Sequence, residues 1–74
     1  MEYSVRIVDE DGHGVSGKKV TVHYPWTWSE DYTDEDGWVT FEKSGGGVTV
    51  QVYAGGALLG EVHAEDGDTF SFNV

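Results

Sequence analysis

The sequence contains no cysteine and only one proline among its 74 residues. Without cysteine the chain can form no disulfide, offers no thiolate ligand to a metal and has no thiol nucleophile. Its apolar runs are all far shorter than the ~20 residues that a membrane-spanning helix requires, so no membrane span is expected. The hydrophobic core alone must hold the fold together, and we expect a single domain over residues 1–74.

Basic residues are also scarce: the chain has four Lys and Arg but fourteen Asp and Glu, which gives a formal net charge of -10 at pH 7. This charge repels phosphate backbones and anionic membrane surfaces, so nucleic-acid binding is not expected. The chain is 38% hydrophobic and 14% aromatic, which is typical of a folded protein and not of a disordered acidic tail. Acidic residues spread along the whole chain favour a halophilic protein, because in molar salt the Debye length falls to about 3 Å and screens their repulsion.

The N-terminal residues also lack the features of a signal peptide. Met1-Glu2-Tyr3 lead directly into a strand pattern, with neither a basic stretch nor an apolar stretch before it. We therefore expect a cytoplasmic protein, or an extracellular one if a signal peptide has been removed.

Apolar and polar residues alternate in short segments, and no segment has the i, i+3, i+4, i+7 apolar spacing of a helix. The pattern predicts six strands and a short seventh: Tyr3–Ile7, Lys19–His23, Trp38–Glu42, Val48–Val52, Leu58–Val62, Thr69–Asn73, and the seventh over Trp28–Thr33. In the fifth of these, Leu58 and Val62 are expected to point inward. The pair Gly55-Gly56 before it suits a tight hairpin with two positive φ angles.

Short strands separated by Gly and Asp turns are typical of β-sandwiches. The sequence therefore predicts an all-β fold, a small antiparallel two-sheet Greek-key sandwich of six to seven strands, similar to immunoglobulin domains. A small closed barrel is the alternative architecture.

The acidic sequence DEDG occurs twice, at residues 9–12 and 34–37. Each copy begins like a calcium loop, but neither continues with a third spaced carboxylate or with the bidentate Glu of an EF-hand. Asp accepts hydrogen bonds from a turn backbone and Gly supplies a positive φ, so we expect acidic surface turns, no metal ligands and no cofactor. If the two turns meet at one end of the sandwich, a weak shared cation site is an open alternative.

Two longer motifs contain these turns, DEDGHGVSGKKV at residues 9–20 and TDEDGWVTF at residues 33–41. They resemble the signature of prealbumin-like β-sandwiches, the carboxypeptidase regulatory-type and Cna-B-type domains, which is D-x-x-G-x-P-V-x-G-x-x-V followed by T-D-x-x-G-x-x-x-F. The resemblance implies a non-catalytic module that supports, extends or tethers another protein. Gly14 stands where these domains usually have proline, and we expect it to loosen the turn.

Large aromatic side chains are concentrated around the only proline, which is expected to end the second strand. Trp26 and Trp28 point to one side if their segment is extended, and Trp38 alternates out of phase with its inward neighbours. Because Trp and Tyr dominate binding surfaces, the candidate binding residues are Trp26, Trp28, Tyr32 and Trp38. The competing interpretation is that Trp26 and Trp28 fold back over an open end of the sandwich and close the core.

No catalytic motif is visible, since the serines lack a nucleophile-elbow context and no phosphate-binding glycine loop precedes a helix. His23 and His63 are expected to point outward as solvated residues, because zinc needs three or four convergent ligands. We therefore expect no enzyme but a β-sandwich module for protein interaction or structural support in a high-salt-adapted organism. One alternative is a carbohydrate-binding module that uses the same aromatic residues with Glu30 and Asp31, and a second is a calcium-stabilised domain. The identity of the partner and the oligomeric state are left open.

Overall fold

A computed structural model describes all residues from Met1 to Val74 and contains strands and turns but no helix. The seven strands are β1 (Glu2–Val8), β2 (Lys19–His23), β3 (Trp28–Tyr32), β4 (Trp38–Glu42), β5 (Val48–Ala54), β6 (Ala57–Ala64) and β7 (Thr69–Asn73). All six expected strands and the short seventh are therefore present. The alternation of apolar and polar residues predicted them because each strand buries one face only.

The strands form two sheets, one in the order β4-β1-β7 and the other in the order β3-β2-β5-β6. This confirms the predicted all-β two-sheet sandwich. The prediction that all strand pairs are antiparallel is wrong for one pair, because β1 and β7 run parallel, from Ser4 opposite Thr69 to Val8 opposite Asn73. The first strand thus lies in the middle of the three-stranded sheet, and the last strand lies beside it at the edge.

The core lies between the two sheets and is built mainly from valines. Its fully buried side chains with the largest volumes are Tyr3, Ile7, Val5, Val20, Val22, Val50 and Val52. The hydroxyl of Tyr3 lies 2.7 Å from that of Tyr24, so the one polar group of the largest core residue has a partner. Burial, followed by this hydrogen bond, raises the pKa of Tyr3 far above its usual value.

The two DEDG turns have the same hydrogen bonds. In the first, Asp9 Oδ1 accepts from the backbone N–H groups of Asp11 and His13, at 2.9 and 3.0 Å. In the second, Asp34 Oδ1 accepts from residues 36 and 38, at 2.8 and 3.0 Å. The glycine that ends each motif has a positive φ, 83° at residue 12 and 86° at residue 37. The same spacing recurs in both motifs because both turns need these hydrogen bonds and this glycine.

The two turns pack against each other through their glycines at one end of the sandwich. A Cβ atom on Gly14 would lie 1.9 Å from the backbone oxygen of Asp36, and one on Gly37 would lie 2.4 Å from that of Ile7. Gly14 has no positive φ. The expectation that this glycine loosens the turn is therefore wrong, because its missing side chain allows two backbone segments to touch.

The buried Thr33 fastens the same end of the sandwich. Its Oγ1 donates a hydrogen bond to the backbone oxygen of Val15 and accepts one from the N–H of Lys18 at 2.8 Å. Its own backbone N–H donates to the oxygen of Lys18 at 2.9 Å, and its oxygen accepts from Gly17 at 3.0 Å. The threonine that opens the second motif thus joins the segment after β3 to the segment before β2.

The β5–β6 hairpin confirms one expectation and corrects another. Gly55 and Gly56 form the two-residue turn with φ angles of 59° and 83°, as predicted. Leu58, however, is 55% exposed, so the prediction that it points inward is wrong. The pairing of β5 with β6 shifts register between Val52 and Tyr53, and this bulge moves Leu58 to the outer side while Leu59 packs against the core.

Candidate functional site

Two of the four predicted aromatic residues, Trp28 and Tyr32, lie on the same outer surface. Residues directly opposite each other in a sheet share a face, and Trp28 lies opposite His23 while Tyr32 lies opposite Lys19. Both partners alternate with the buried valines of β2, so all four side chains point away from the core. We call the outer surface of the four-stranded sheet, formed by the outward side chains of β2, β3, β5 and β6, the four-stranded face.

The aromatic residues of this face remain open to solvent. Trp28 is 57% exposed and Tyr32 is 61% exposed, although tryptophan and tyrosine are highly buried on average. Between them lies Glu30, whose Oε2 is 3.4 Å from Lys19 Nζ. The edge strand β3 therefore presents two large exposed rings. The carboxylate between them forms an ion pair with a lysine of the neighbouring strand β2.

The centre of the four-stranded face also carries an aromatic pair. The rings of His23 and Tyr53 lie 4.8 Å apart between centroids and are tilted by 53°. The Tyr53 hydroxyl donates to Gln51 Oε1 at 3.4 Å. Rings from β2, β3 and β5 thus follow one another across the sheet.

A shallow depression of about 330 Å³ lies on this face, beside the turn between β2 and β3. Its wall residues are mostly polar: His23, Tyr24, Pro25, Thr49, Gln51 and Glu61. Gln51 lies opposite Glu61, and its amide nitrogen donates to Oε2 of that carboxylate at 3.5 Å. The depression therefore combines amide, carboxylate, hydroxyl and imidazole groups at one place.

Trp26 lies on a different surface, at the tip of the turn between β2 and β3. Its ring stacks on Tyr24 with a centroid distance of 5.8 Å and an interplanar angle of 16°. Lys43 Nζ lies 5.3 Å from its ring centroid, which is a cation–π geometry. The ring is 64% exposed. Trp26 does not share one side with Trp28, because that expectation required an extended segment and the chain bends at residues 25 and 26.

The alternative in which Trp26 and Trp28 close the core is also wrong, since both rings are more than half exposed. The end of the sandwich is closed instead by Tyr24, which is half-buried and packs against the core cluster. Its hydroxyl reaches that of Tyr3. The two tryptophans thus stay available for contact with other molecules.

Trp38 lies on the opposite sheet. It begins β4 and lies opposite Arg6 on the outer side of the three-stranded sheet, out of phase with the buried Val39, as expected. The Arg6 guanidinium lies 5.7 Å from its ring centroid, and Arg6 Nε donates to the backbone oxygen of Asp36 at 3.0 Å. This contact gives the half-buried ring a structural role in holding the second acidic turn. The four predicted residues therefore occupy three separate surfaces.

Some of the carboxylates cluster in two places outside these surfaces. Asp9, Asp11 and His13 bring their ligand atoms within 4.8 Å of one another, but Asp9 Oδ1 already accepts two backbone hydrogen bonds. A second depression of about 490 Å³ near the N-terminus is lined by six residues: Met1, Glu2, Glu42, Lys43, Ser44 and Asp66. Asp66 Oδ1 accepts from the backbone N–H of Glu2 at 2.8 Å. These carboxylates serve turns and chain ends.

Several residues of the four-stranded face were not among the predicted site residues, including Gln51, Tyr53 and Glu61. Their outward phase could be read from the alternation in β5 and β6, because each flanks an inward residue such as Val52 or Val62. Their position beside His23 could not, because it depends on which strands are neighbours.

No protein-family model and no curated protein sequence matches this chain. Among solved structures, the Bacillus anthracis TIE protein has a similar fold, with a TM-score of 0.73 over 99% of this chain at 11% sequence identity. The match covers 15% of the length of that protein. At this identity the similarity concerns the fold alone. No helix of sufficient length and apolar character to cross a bilayer is present.

Proposed function

We propose that this chain is a non-catalytic β-sandwich module that binds a partner protein through the edge of the four-stranded face around Trp28 and Tyr32. One observation carries the proposal: two large aromatic side chains on one face of the same strand, four residues apart, are 57% and 61% exposed. Exposed Trp and Tyr side chains supply much of the binding energy of protein interfaces. An edge strand that presents both is a suitable docking surface.

The charge of the chain indicates the kind of partner. With a formal net charge of -10, the module attracts basic surfaces and repels acidic ones. Glu30 lies between the two rings on the same face of β3, so the docking surface carries a carboxylate as well as aromatic rings. We therefore propose a partner that presents Lys or Arg beside apolar groups.

The resemblance to prealbumin-like domains supports a role without catalysis, because domains of that type usually support or tether another protein. The one side chain with a clearly shifted pKa, Tyr3, belongs to the core and faces another tyrosine there. Its shift is explained by burial in a structural position.

Peptide selection tests the partner-binding role. A random peptide library displayed on phage is selected against the immobilised protein, and enriched peptides are synthesised and titrated by calorimetry. We expect Lys- or Arg-containing peptides whose affinity falls about 30-fold in Trp28→Ala and in Tyr32→Ala, as for a hot-spot residue. Trp26→Ala removes an equally exposed tryptophan from another surface and is the matched control. Enrichment of acidic peptides, equal losses in all three variants, or no enrichment would refute the proposal.

We further propose that the module is adapted to high salt. Screening of its fourteen carboxylates predicts a melting temperature that rises steadily with KCl up to molar concentration. At matched ionic strength CaCl₂ is expected to give the same rise. A stabilisation by micromolar calcium would instead support the calcium-stabilised alternative, because only specific binding acts at such low concentration.

A further inference from the structure

We propose that the depression on the four-stranded face is a binding site for a neutral carbohydrate. The site lies over β2, β5 and β6. It is lined by Gln51, Glu61, Thr49 and His23, together with Tyr24 and Pro25 of the turn that follows β2. It goes beyond the partner-binding role, which concerns the edge strand β3.

The polar groups of the depression are only weakly bonded to one another. The contact from the Gln51 amide nitrogen to Glu61 is 3.5 Å long, and that from the Tyr53 hydroxyl to Gln51 is 3.4 Å. The Thr49 hydroxyl lies 3.3 Å from Nδ1 of His63. Side-chain hydrogen bonds are usually about 2.7–3.0 Å long, so these donors and acceptors have capacity for a ligand.

Sugar hydroxyls match this set of groups. Each hydroxyl both donates and accepts, and the site offers a carboxylate that only accepts beside an amide that does both. Gln51 and Glu61 are cross-strand partners, so their polar ends lie close enough to contact neighbouring hydroxyls of one ring. A paired acceptor and amide are therefore placed for a vicinal diol.

The rings around the depression suit the apolar face of a sugar. The rings of His23 and Tyr24 line the depression, and Tyr53 packs against His23 from outside it, with 4.8 Å between the ring centroids. Aromatic side chains provide a flat apolar surface with a polar edge. A saccharide can thus lie on the rings while its hydroxyls reach the polar groups.

The negative charge of the protein favours neutral sugars over acidic ones. Glu61 lines the site, and the whole chain carries a formal charge of -10, so phosphorylated and uronic acid sugars are repelled. A volume of about 330 Å³ falls at the small end of ligand sites, which is suitable for one or two sugar rings. The expected ligand is a neutral mono- or oligosaccharide.

The test uses the whole chain, labelled with nitrogen-15, in about 0.1 M KCl, where a Debye length of about 10 Å leaves charge repulsion effective. Amide resonances are followed during titration with neutral oligosaccharides built from glucose, mannose, galactose or xylose, and with oligogalacturonate as the acidic counterpart. We expect at least one neutral sugar to shift resonances of β2, β5 and β6 with a dissociation constant of about 1 mM or below. Oligogalacturonate is expected to leave them unchanged.

Two variants locate the site, and a third is the control. Gln51→Ala and Glu61→Gln are each expected to weaken sugar binding at least about tenfold, whereas Glu30→Gln removes the same charge from the same face and should not. All three positions are exposed, and melting temperatures report whether each variant is folded. No shift with any neutral sugar at about 10 mM, or shifts that persist in both variants, would overturn the site.

The outcome for carbohydrate is separable from that for the partner protein. If sugars fail to bind while basic peptides still depend on Trp28 and Tyr32, the carbohydrate site is refuted and the partner-binding role stands. If sugars bind in Trp28→Ala and Tyr32→Ala while no peptide is enriched, the partner-binding role is refuted instead.

Discussion

Gly14 provides a sharp test of how the two acidic turns are held together. Substitution by alanine adds one Cβ atom, which would lie 1.9 Å from the Asp36 backbone oxygen and 2.3 Å from its carbonyl carbon. Ordinary contacts of a Cβ atom are 3.4–4 Å. Because both neighbouring atoms belong to the backbone, no side-chain rotation relieves the overlap, and the turns must move apart.

The energetic cost of the substitution follows from this steric overlap. Overpacking usually costs about 1–3 kcal/mol, and a clash with backbone should reach the upper end of this range. A chain of 74 residues has a total stability of about 4–11 kcal/mol. A loss of about 3 kcal/mol corresponds to a fall in melting temperature of about 12–24 °C for a domain of this size. Gly14→Pro, which introduces the residue found in the signature that this motif resembles, also adds a Cβ and is expected to destabilise.

Urea unfolding followed by tryptophan fluorescence, in molar KCl, measures these differences. Two other glycines separate the contact from backbone conformation. Gly46→Ala meets nothing within 4 Å and has no positive φ, so its effect should stay within about 0.5 kcal/mol. Gly12→Ala also meets nothing but has a φ of 83°, so about 1–2 kcal/mol is expected. Equal stabilities of Gly14→Ala and Gly46→Ala would refute the reasoning.

Three further predictions concern single polar groups. Asp34→Ala removes the acceptor of two backbone hydrogen bonds and should lower the free energy of unfolding by about 1–2 kcal/mol, as for a lost helix cap; Glu35→Ala removes the same charge and should be neutral or stabilising in urea unfolding. Thr33→Val leaves the part-buried Lys18 N–H without its acceptor and should cost about 1–3 kcal/mol, while the exposed Thr40→Val should cost less than 1 kcal/mol by the same assay. The raised pKa of Tyr3 predicts stability that is intact below pH ~10, the pKa of an unfolded tyrosine, and declines above it because the unfolded chain loses the proton first. In Tyr3→Phe thermal unfolding should show a smaller decline between pH 9 and 11, and an unchanged decline would contradict the assignment.

Local patterns predicted the elements of this fold because each depends on residues close in sequence. Alternation of Val20 and Val22 with polar residues gave β2, and Gly55-Gly56 gave the hairpin that the structure contains. The two DEDG turns were likewise predictable, since Asp34 bonds to residues two and four positions later. In each case the determining interactions lie within one strand or one turn.

Features that depend on distant parts of the chain were predicted poorly. The parallel pairing of β1 with β7 joins residues about 65 positions apart, and no local pattern specifies it. The exposure of Leu58 results from a bulge in β6, whose position is set by the pairing of β6 with β5. Gly14 was misinterpreted because its close neighbour, Asp36, lies in the other turn.

The candidate site shows the same division. Trp26, Trp28, Tyr32 and Trp38 were identified by residue type alone, but their distribution over three surfaces follows from the turn at Pro25 and from the separation of the two sheets. The depression beside His23 needs β2, β5 and β6 side by side. A single strand pattern contains no information about such a neighbourhood.

The parallel pairing of β1 and β7 also determines how the fold responds to mechanical force. A pull on Met1 and Val74 in opposite directions acts along two adjacent parallel strands, so it loads their shared hydrogen bonds in shear. Five residue pairs, from Ser4 with Thr69 to Val8 with Asn73, bear the tension together. A pull across the β5–β6 hairpin would instead peel its pairs apart one after another, starting at the open end. A polypeptide stretched through its two ends would therefore rupture at a higher force than one stretched across this hairpin.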